Sequence, residues 1–103
     1  MSRMEQLEKL RAADPSDADV PYMIAQEHVK AGDHAAAVTA YDDCLALDAN
    51  YLYAYFHKAR SLEAAGDSDG VAKTLREGLE RAQQAGDQKA IGEIGQYLSE
   101  IEA

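Results

Sequence analysis

The tripeptide Ala-Gly-Asp recurs along this chain, and its copies at 31–33 and 65–67 lie 34 residues apart. A third copy follows at 85–87. The same offset of 34 relates further pairs of residues, namely Tyr22 to Phe56, Ala25 to Ala59 and Leu45 to Leu79. A period of this length is typical of a two-helix unit that repeats and stacks on its own copies.

The repeated Gly-Asp pair predicts where helices end and begin. Glycine favours the left-handed backbone just past a helix end, and aspartate is a favoured N-cap for the next helix. A turn this tight makes two helices antiparallel. The apolar spacing between the turns predicts helices near 3–13, 18–31, 34–47, 52–65, 68–85 and 88–101. We expect Asp17 and Asn50 to be the N-caps of the second and fourth helices.

Composition agrees with an all-α chain and excludes some partners. β-branched residues are scarce, which disfavours long strands. The net charge of -9, with 10 basic residues against 19 acidic ones, lacks the positive face that nucleic acids or anionic membranes require. The single cysteine, Cys44, excludes an internal disulfide, and the charged segment 1–10 has no signal-peptide core. We therefore expect a cytoplasmic protein that binds neither nucleic acid nor membrane.

These features resemble the tetratricopeptide repeat, whose pattern is a tryptophan, leucine-glycine, a tyrosine, and later an alanine, a phenylalanine and a proline. The first copy offers Ile24-Ala25 at leucine-glycine, Ala37 at the alanine and Tyr41 at the phenylalanine. The second copy offers Tyr55 at the tryptophan and Ala59 at the glycine. The chain departs from the pattern at these positions: Pro21, Ala49, Lys58 and Gln83.

The resemblance implies an all-α fold of antiparallel helix-turn-helix repeats, stacked as a short right-handed superhelix. In this register one domain, 1–103, divides into an N-terminal half-repeat helix (1–15), repeat 1 (18–51), repeat 2 (52–85) and a C-terminal capping helix (86–103). Such end helices cover the apolar faces of a stack.

The first helix of each pair lines a concave groove in this family. Carried over by position, the groove residues here are Asp19, Tyr22, Gln26, Val29, Lys30, Tyr53, Phe56, His57, Arg60 and Glu63. We expect Tyr55 to point inward and Tyr53 and Phe56 to lie at or near the groove. The alternative, in which the aromatic residues of 51–56 only pack helices together, stays open.

The resemblance implies a non-enzymatic module that binds a peptide or partner segment in this groove. Some relatives hold a C-terminal carboxylate with a lysine-asparagine clamp, but Tyr22, Gln26 and His57 occupy the corresponding places here. The alternative function is self-association into homo-oligomers through the terminal helices, involving Met4, Leu7 or Ile101.

Catalysis and metal binding lack a sequence motif. The three histidines lie at different helical phases without zinc-ligand spacing, so no metal or cofactor is expected. We expect His28 to be structural, His34 to be solvated and Cys44 to be a core thiol. The acidic pairs are expected to form a solvated face. The sequence therefore predicts no enzyme.

Overall fold

The computed structural model describes residues 2–103 and contains six α-helices joined by short turns. They are α1 (Arg3–Ala13), α2 (Asp19–Lys30), α3 (His34–Leu47), α4 (Leu52–Ala64), α5 (Ser68–Ala85) and α6 (Gln88–Glu102). Every predicted helix is present, with its bounds displaced by one residue at most. The all-α, pairwise helical fold expected from the sequence is confirmed.

The Gly-Asp turns have the predicted geometry. Gly32, Gly66 and Gly86 have φ values of 77°, 83° and 69°. Residues other than glycine adopt this left-handed backbone conformation only at an energetic cost. The aspartate that follows each glycine caps the next helix. Its side chain accepts a hydrogen bond from the N–H of Ala36, Gly70 or Ala90, at 3.0 to 3.1 Å.

The predicted N-caps of α2 and α4 are wrong by one residue, because Ala18 and Tyr51 occupy those positions. The turns are organised instead by the aspartate that ends the preceding helix. Asp14 accepts a hydrogen bond from the N–H of Ser16, and Asp48 accepts one from the N–H of Asn50. Neither Ala18 nor Tyr51 makes a side-chain capping hydrogen bond. Asp17 nevertheless accepts a hydrogen bond from the N–H of Asp19, the first residue of α2, at 2.9 Å.

Each helix packs against its neighbours in the chain, and α4 also contacts α6. The buried side chains form two groups. The N-terminal core cluster contains Leu7, Val20, Ile24, Ala25, Ala37, Ala40, Tyr41, Cys44 and Ala54. The C-terminal core cluster contains Leu52, Ala59, Val71, Leu75, Ala82, Ala90 and Ile94. Helix α4 contributes to both clusters and therefore joins the two halves of the stack.

Small residues allow the paired helices to approach closely. Ala25 and Ala59 are fully buried, as their place in the repeat predicts. At Gly78 on α5, an added Cβ atom would lie 2.6 Å from the Cβ of Tyr55. The resulting stack measures 44 × 29 × 18 Å. No helix of the described chain is both long enough and apolar enough to cross a membrane.

Candidate partner-binding face

Five rings from α2, α4, α6 and the N-cap position of α4 form a continuous row, which we call the aromatic row: Tyr51, Tyr22, His57, Phe56 and Tyr97. Successive ring centroids lie 4.9, 5.9, 5.5 and 5.4 Å apart along the row. The first pair is stacked and the other three meet edge to face, as aromatic pairs prefer. All five side chains are partly exposed. The row therefore runs across three helices while remaining accessible.

Hydrogen bonds hold both ends of the row. The hydroxyl of Tyr51 donates to Asp19 Oδ1 at 2.7 Å, and the hydroxyl of Tyr97 donates to Glu63 Oε1 at 2.8 Å. Burial, and then the bonded carboxylate, raises the pKa of each phenol. Both hydroxyls are consequently donors over the whole physiological pH range, and the two rings are oriented before any ligand arrives.

Buried Tyr41 of α3 supports the middle of the row. Its ring centroid lies 5.8 Å from that of Tyr22 and 6.3 Å from that of His57. Burial raises the pKa of Tyr41 to about 12. Burial also lowers the pKa of His57, and the nearby Arg60 guanidinium lowers it further. The imidazole in the row is therefore biased towards its neutral form.

The structure brings several of the predicted groove residues together. Tyr22, Phe56 and His57 belong to the aromatic row, while Asp19 and Glu63 are its hydrogen-bond acceptors. Tyr53 is half-buried and close enough to Tyr22 to raise the pKa of that phenol, although burial of Tyr22 is the larger cause.

The other predicted groove residues on α2 lie outside the row. Gln26, Val29 and Lys30 are exposed. The ammonium group of Lys30 pairs with Glu27 on its own helix at 3.2 Å. Of these three residues, Val29 also lines a concave part of the surface.

The prediction that Tyr55 points inward is confirmed. It is 6% exposed, and its hydroxyl donates to the backbone carbonyl of Ala49 at 2.8 Å. Among the aromatic residues at 51–56, Tyr55 thus packs helices together, while the neighbouring rings of Tyr51 and Phe56 join the partly exposed row.

A cleft between α4 and α6, the α4–α6 cleft, encloses about 380 Å³. It is lined by Phe56, Arg60, Glu63, Glu93, Gln96, Tyr97 and Glu100. The residues from α6 are absent from the predicted groove, because the sequence assigned α6 to a cap; Tyr51 is absent from it as well.

A second cavity, the α3–α4 pocket, encloses about 360 Å³ and is lined by Val29, His34, Tyr41, His57, Arg60, Ser61 and Ala64. The prediction that His34 is solvated is wrong. The side chain is half-buried, and its Nδ1 atom is buried without a hydrogen-bond partner in the described chain. The cause is tertiary, since His34 begins α3 beside the last turn of α4.

Reactive groups elsewhere have structural surroundings. Cys44 is fully buried, and burial, followed by the negative charges of Asp48 and Asp19, raises the pKa of its thiol to about 12. The prediction of a core thiol is confirmed. His28 is half-buried beside residues of α1 and α3. Within residues 2–103, no three histidine, cysteine or carboxylate side chains are placed to hold a metal ion.

Comparison with solved structures identifies the architecture. A tetratricopeptide repeat domain protein from Salinibacter ruber is 28% identical and superposes with a TM-score of 0.79, over 86% of this chain and 90% of that one. The type III secretion translocator chaperone SycD of Yersinia enterocolitica is 16% identical, with a TM-score of 0.84 over 96% of this chain and 69% of that one.

PcrH, solved in complex with the chaperone binding region of PopD, is 19% identical. Its TM-score is 0.87 over 96% of this chain and 75% of that chain. A scan against protein-family models gives no match, and neither does a search of curated proteins. The likeness therefore rests on three-dimensional structure together with modest sequence identity.

Proposed function

Since this chain is a small protein of the tetratricopeptide-repeat fold, we propose that it is a non-enzymatic module that binds a segment of another protein. The segment lies across the face formed by α2, α4 and α6. Proteins of this fold are binding modules, and PcrH has been solved with the chaperone binding region of PopD. That complex supports a bound protein segment here without identifying the partner.

The observation that carries the proposal is the aromatic row. Tyrosine and phenylalanine are among the residue types enriched where protein interfaces gain their binding energy. Exposed aromatic surface commonly marks an interaction site. Because Tyr51 and Tyr97 are already held by Asp19 and Glu63, binding orders few additional side chains, and the entropic cost is correspondingly low.

The reactive groups described above favour binding over catalysis. The buried, high-pKa thiol of Cys44 is a poor nucleophile, and the His57 imidazole packs among aromatic rings. A cytoplasmic location remains a prediction from the sequence.

Affinity capture from the native cell extract tests the proposal. The double variant Phe56→Ala/Arg60→Ala should lose the captured partner, because it removes a ring of the row and the guanidinium beside it. Truncation of interface anchors typically costs about 2 kcal/mol or more each. The helical circular dichroism signal should be retained, since Phe56 is partly exposed and Arg60 is exposed.

The matched control is Arg76→Ala, which removes an arginine on α5 that pairs with Glu102 at 2.8 Å. Capture should survive in this control. If the partner is still captured after Tyr22, Phe56 and Arg60 are replaced together, binding does not use this face, and the proposal fails.

A second candidate function is self-association through the terminal helices. Leu7, one of the residues expected to mediate it, is fully buried in the N-terminal core cluster and therefore unavailable. Met4 and Ile101 are half-buried and pack against the two core clusters. One observation favours self-association through a different residue. Leu10 of α1 is 48% exposed, and it lies on a helix that packs mainly against α2.

A further inference from the structure

The two concave sites on either side of α4 differ in the charged and polar groups that line them. The α3–α4 pocket holds the imidazoles of His34 and His57 and the Arg60 guanidinium, and none of its lining residues is a carboxylate. The α4–α6 cleft holds three glutamates, Glu63, Glu93 and Glu100, against the same Arg60. The face is therefore polarised across α4, with Arg60 at the boundary.

The α3–α4 pocket contains polar groups without partners. The Nδ1 atom of His34 is buried and makes no hydrogen bond within the described chain, which is an unfavourable situation for a polar atom. Arg60 is exposed and takes part in none of the ion pairs found among residues 2–103. A carboxylate that enters the pocket balances the positive charge of Arg60 and accepts hydrogen bonds from its guanidinium group.

The α4–α6 cleft suits the opposite charge. The rings of Phe56 and Tyr97 meet edge to face, with centroids 5.4 Å apart, and both line the cleft. Glu63 already accepts a hydrogen bond from the Tyr97 hydroxyl, whereas Glu100 accepts only a long hydrogen bond of 3.3 Å from the Gln96 amide. An ammonium or guanidinium group there meets aromatic faces and carboxylates together, and both attract cations.

Local groups outweigh the overall acidity of the chain. The net charge of -9 disfavours any acidic ligand at long range. At physiological ionic strength, however, exposed charges are screened beyond about 8 Å. The groups that line each site therefore decide which side chain it accepts.

Resting on the proposed function, we infer that the bound segment carries an acidic side chain that enters the α3–α4 pocket and a lysine or arginine that enters the α4–α6 cleft. The two sites flank one helix, and packed helices lie about 8–10 Å apart. A bound segment in the polyproline II conformation advances about 3.1 Å per residue with three residues per turn, so residues three positions apart share one face. The two charged residues are therefore about three positions apart, and their order fixes the direction of the segment.

Synthetic peptides of twelve residues, capped at both ends and identical in their neutral background, test the inference. One peptide carries Glu-x-x-Lys and a second carries Lys-x-x-Glu. Two more are versions of the preferred peptide, one with its Glu and one with its Lys replaced by Gln. Binding is followed by nitrogen-15 NMR titration, which detects weak affinities. One of the two charged orders should bind about tenfold more tightly than the other, a difference of about 1.4 kcal/mol.

Protein variants assign each charge to its site. Glu93→Gln/Glu100→Gln should weaken the preferred peptide several-fold and leave unchanged the peptide whose Lys is already Gln. His34→Gln/His57→Gln should also weaken the preferred peptide several-fold, but it should leave unchanged the peptide whose Glu is already Gln. His34→Gln alone replaces the histidine pair if the double variant unfolds, because His34 lines the α3–α4 pocket and not the α4–α6 cleft. The control Glu5→Gln/Glu8→Gln on α1 alters the net charge equally and should have no effect.

Equal affinity for the two charge orders overturns the inference while leaving the proposed function in place. Failure of all four peptides to bind below 1 mM also overturns it. Capture of the native partner that still depends on Phe56 and Arg60 would then show that the face binds a segment of different chemistry.

Discussion

At Gly78, α5 packs tightly against Tyr55 of α4, and the size of one residue limits how closely these helices pack. An alanine there would place its Cβ atom 2.6 Å from the Cβ and 2.9 Å from the Cγ of Tyr55. Tyr55 cannot yield easily, because its hydroxyl is bonded to the Ala49 carbonyl. Glycine at this position therefore serves close packing, even though it weakens the helix itself.

We expect Gly78→Ala to lower the free energy of unfolding by about 1–3 kcal/mol, the usual cost of overpacking. The matched control is Gly92→Ala on α6, where nothing lies within 4 Å of the added carbon. That change should raise the free energy of unfolding by about 0.5–1 kcal/mol, the helical advantage of alanine. Urea denaturation followed by circular dichroism measures both. Equal effects of the two substitutions would show that contact with Tyr55 is unimportant.

Residues whose role depends on local chemistry were predictable from the sequence. Gly32 and Asp33 act through a turn of a few residues, and the same holds for their counterparts one period later. His34 was placed wrongly, because its burial depends on how α3 lies against the end of α4. Tyr51 was missed for a similar reason, since its stacking on Tyr22 and its bond to Asp19 join residues on different helices.

Among the helices, α6 differs most from its expected role. Ile94 and Ala90 bury its inner side in the C-terminal core cluster, as a capping helix requires. Its Tyr97 also extends the aromatic row, and Glu93 and Glu100 line the α4–α6 cleft. The helix was predicted almost to the residue, but its part in the site was not, because side-chain direction follows from the packing of α6 against α4 and α5.

The start of α6 depends on Asp87, whose side chain accepts the Ala90 N–H at 3.1 Å. We expect Asp87→Ala to destabilise the chain by about 1 kcal/mol, since it leaves a helix N-terminus uncapped. Asp87→Asn is the control, because asparagine caps equally well, and it should be nearly neutral. Thermal unfolding of the three proteins measures the difference. A loss in the asparagine variant as large as in the alanine variant would point to charge rather than capping.

For the whole molecule, the repeat period predicted the order and pairing of helices, because each unit packs on its neighbour in the chain. The right-handed superhelix and the repeat boundaries remain predictions. The face could be predicted only in part: position in the repeat indicated Tyr22, Phe56 and Arg60, whereas the polarity across α4 arises from side chains of α3 and α6 that meet α4 only after folding.

The oligomeric state is a property of the whole molecule that separates the two candidate functions. A stable dimer normally buries about 1,200 Å² or more, and exposed Leu10 is a small part of such an area. We therefore expect light scattering at about 100 µM to give the mass of one chain, 11.2 kDa. Self-association would be favoured instead if the protein is a dimer that dissociates in the Leu10→Glu variant. The control Glu8→Gln should leave such a dimer intact.

The division of the interior into two core clusters has a consequence for how the chain opens. Ala54 belongs to the N-terminal core cluster and Leu52 to the C-terminal one, so α4 alone carries contacts of both kinds. Stability in stacked repeats is a sum of local and nearest-neighbour contributions. Amide protons of α4 should then exchange with solvent only in global unfolding, whereas those of α1, at the end of the stack, exchange through cheaper local openings.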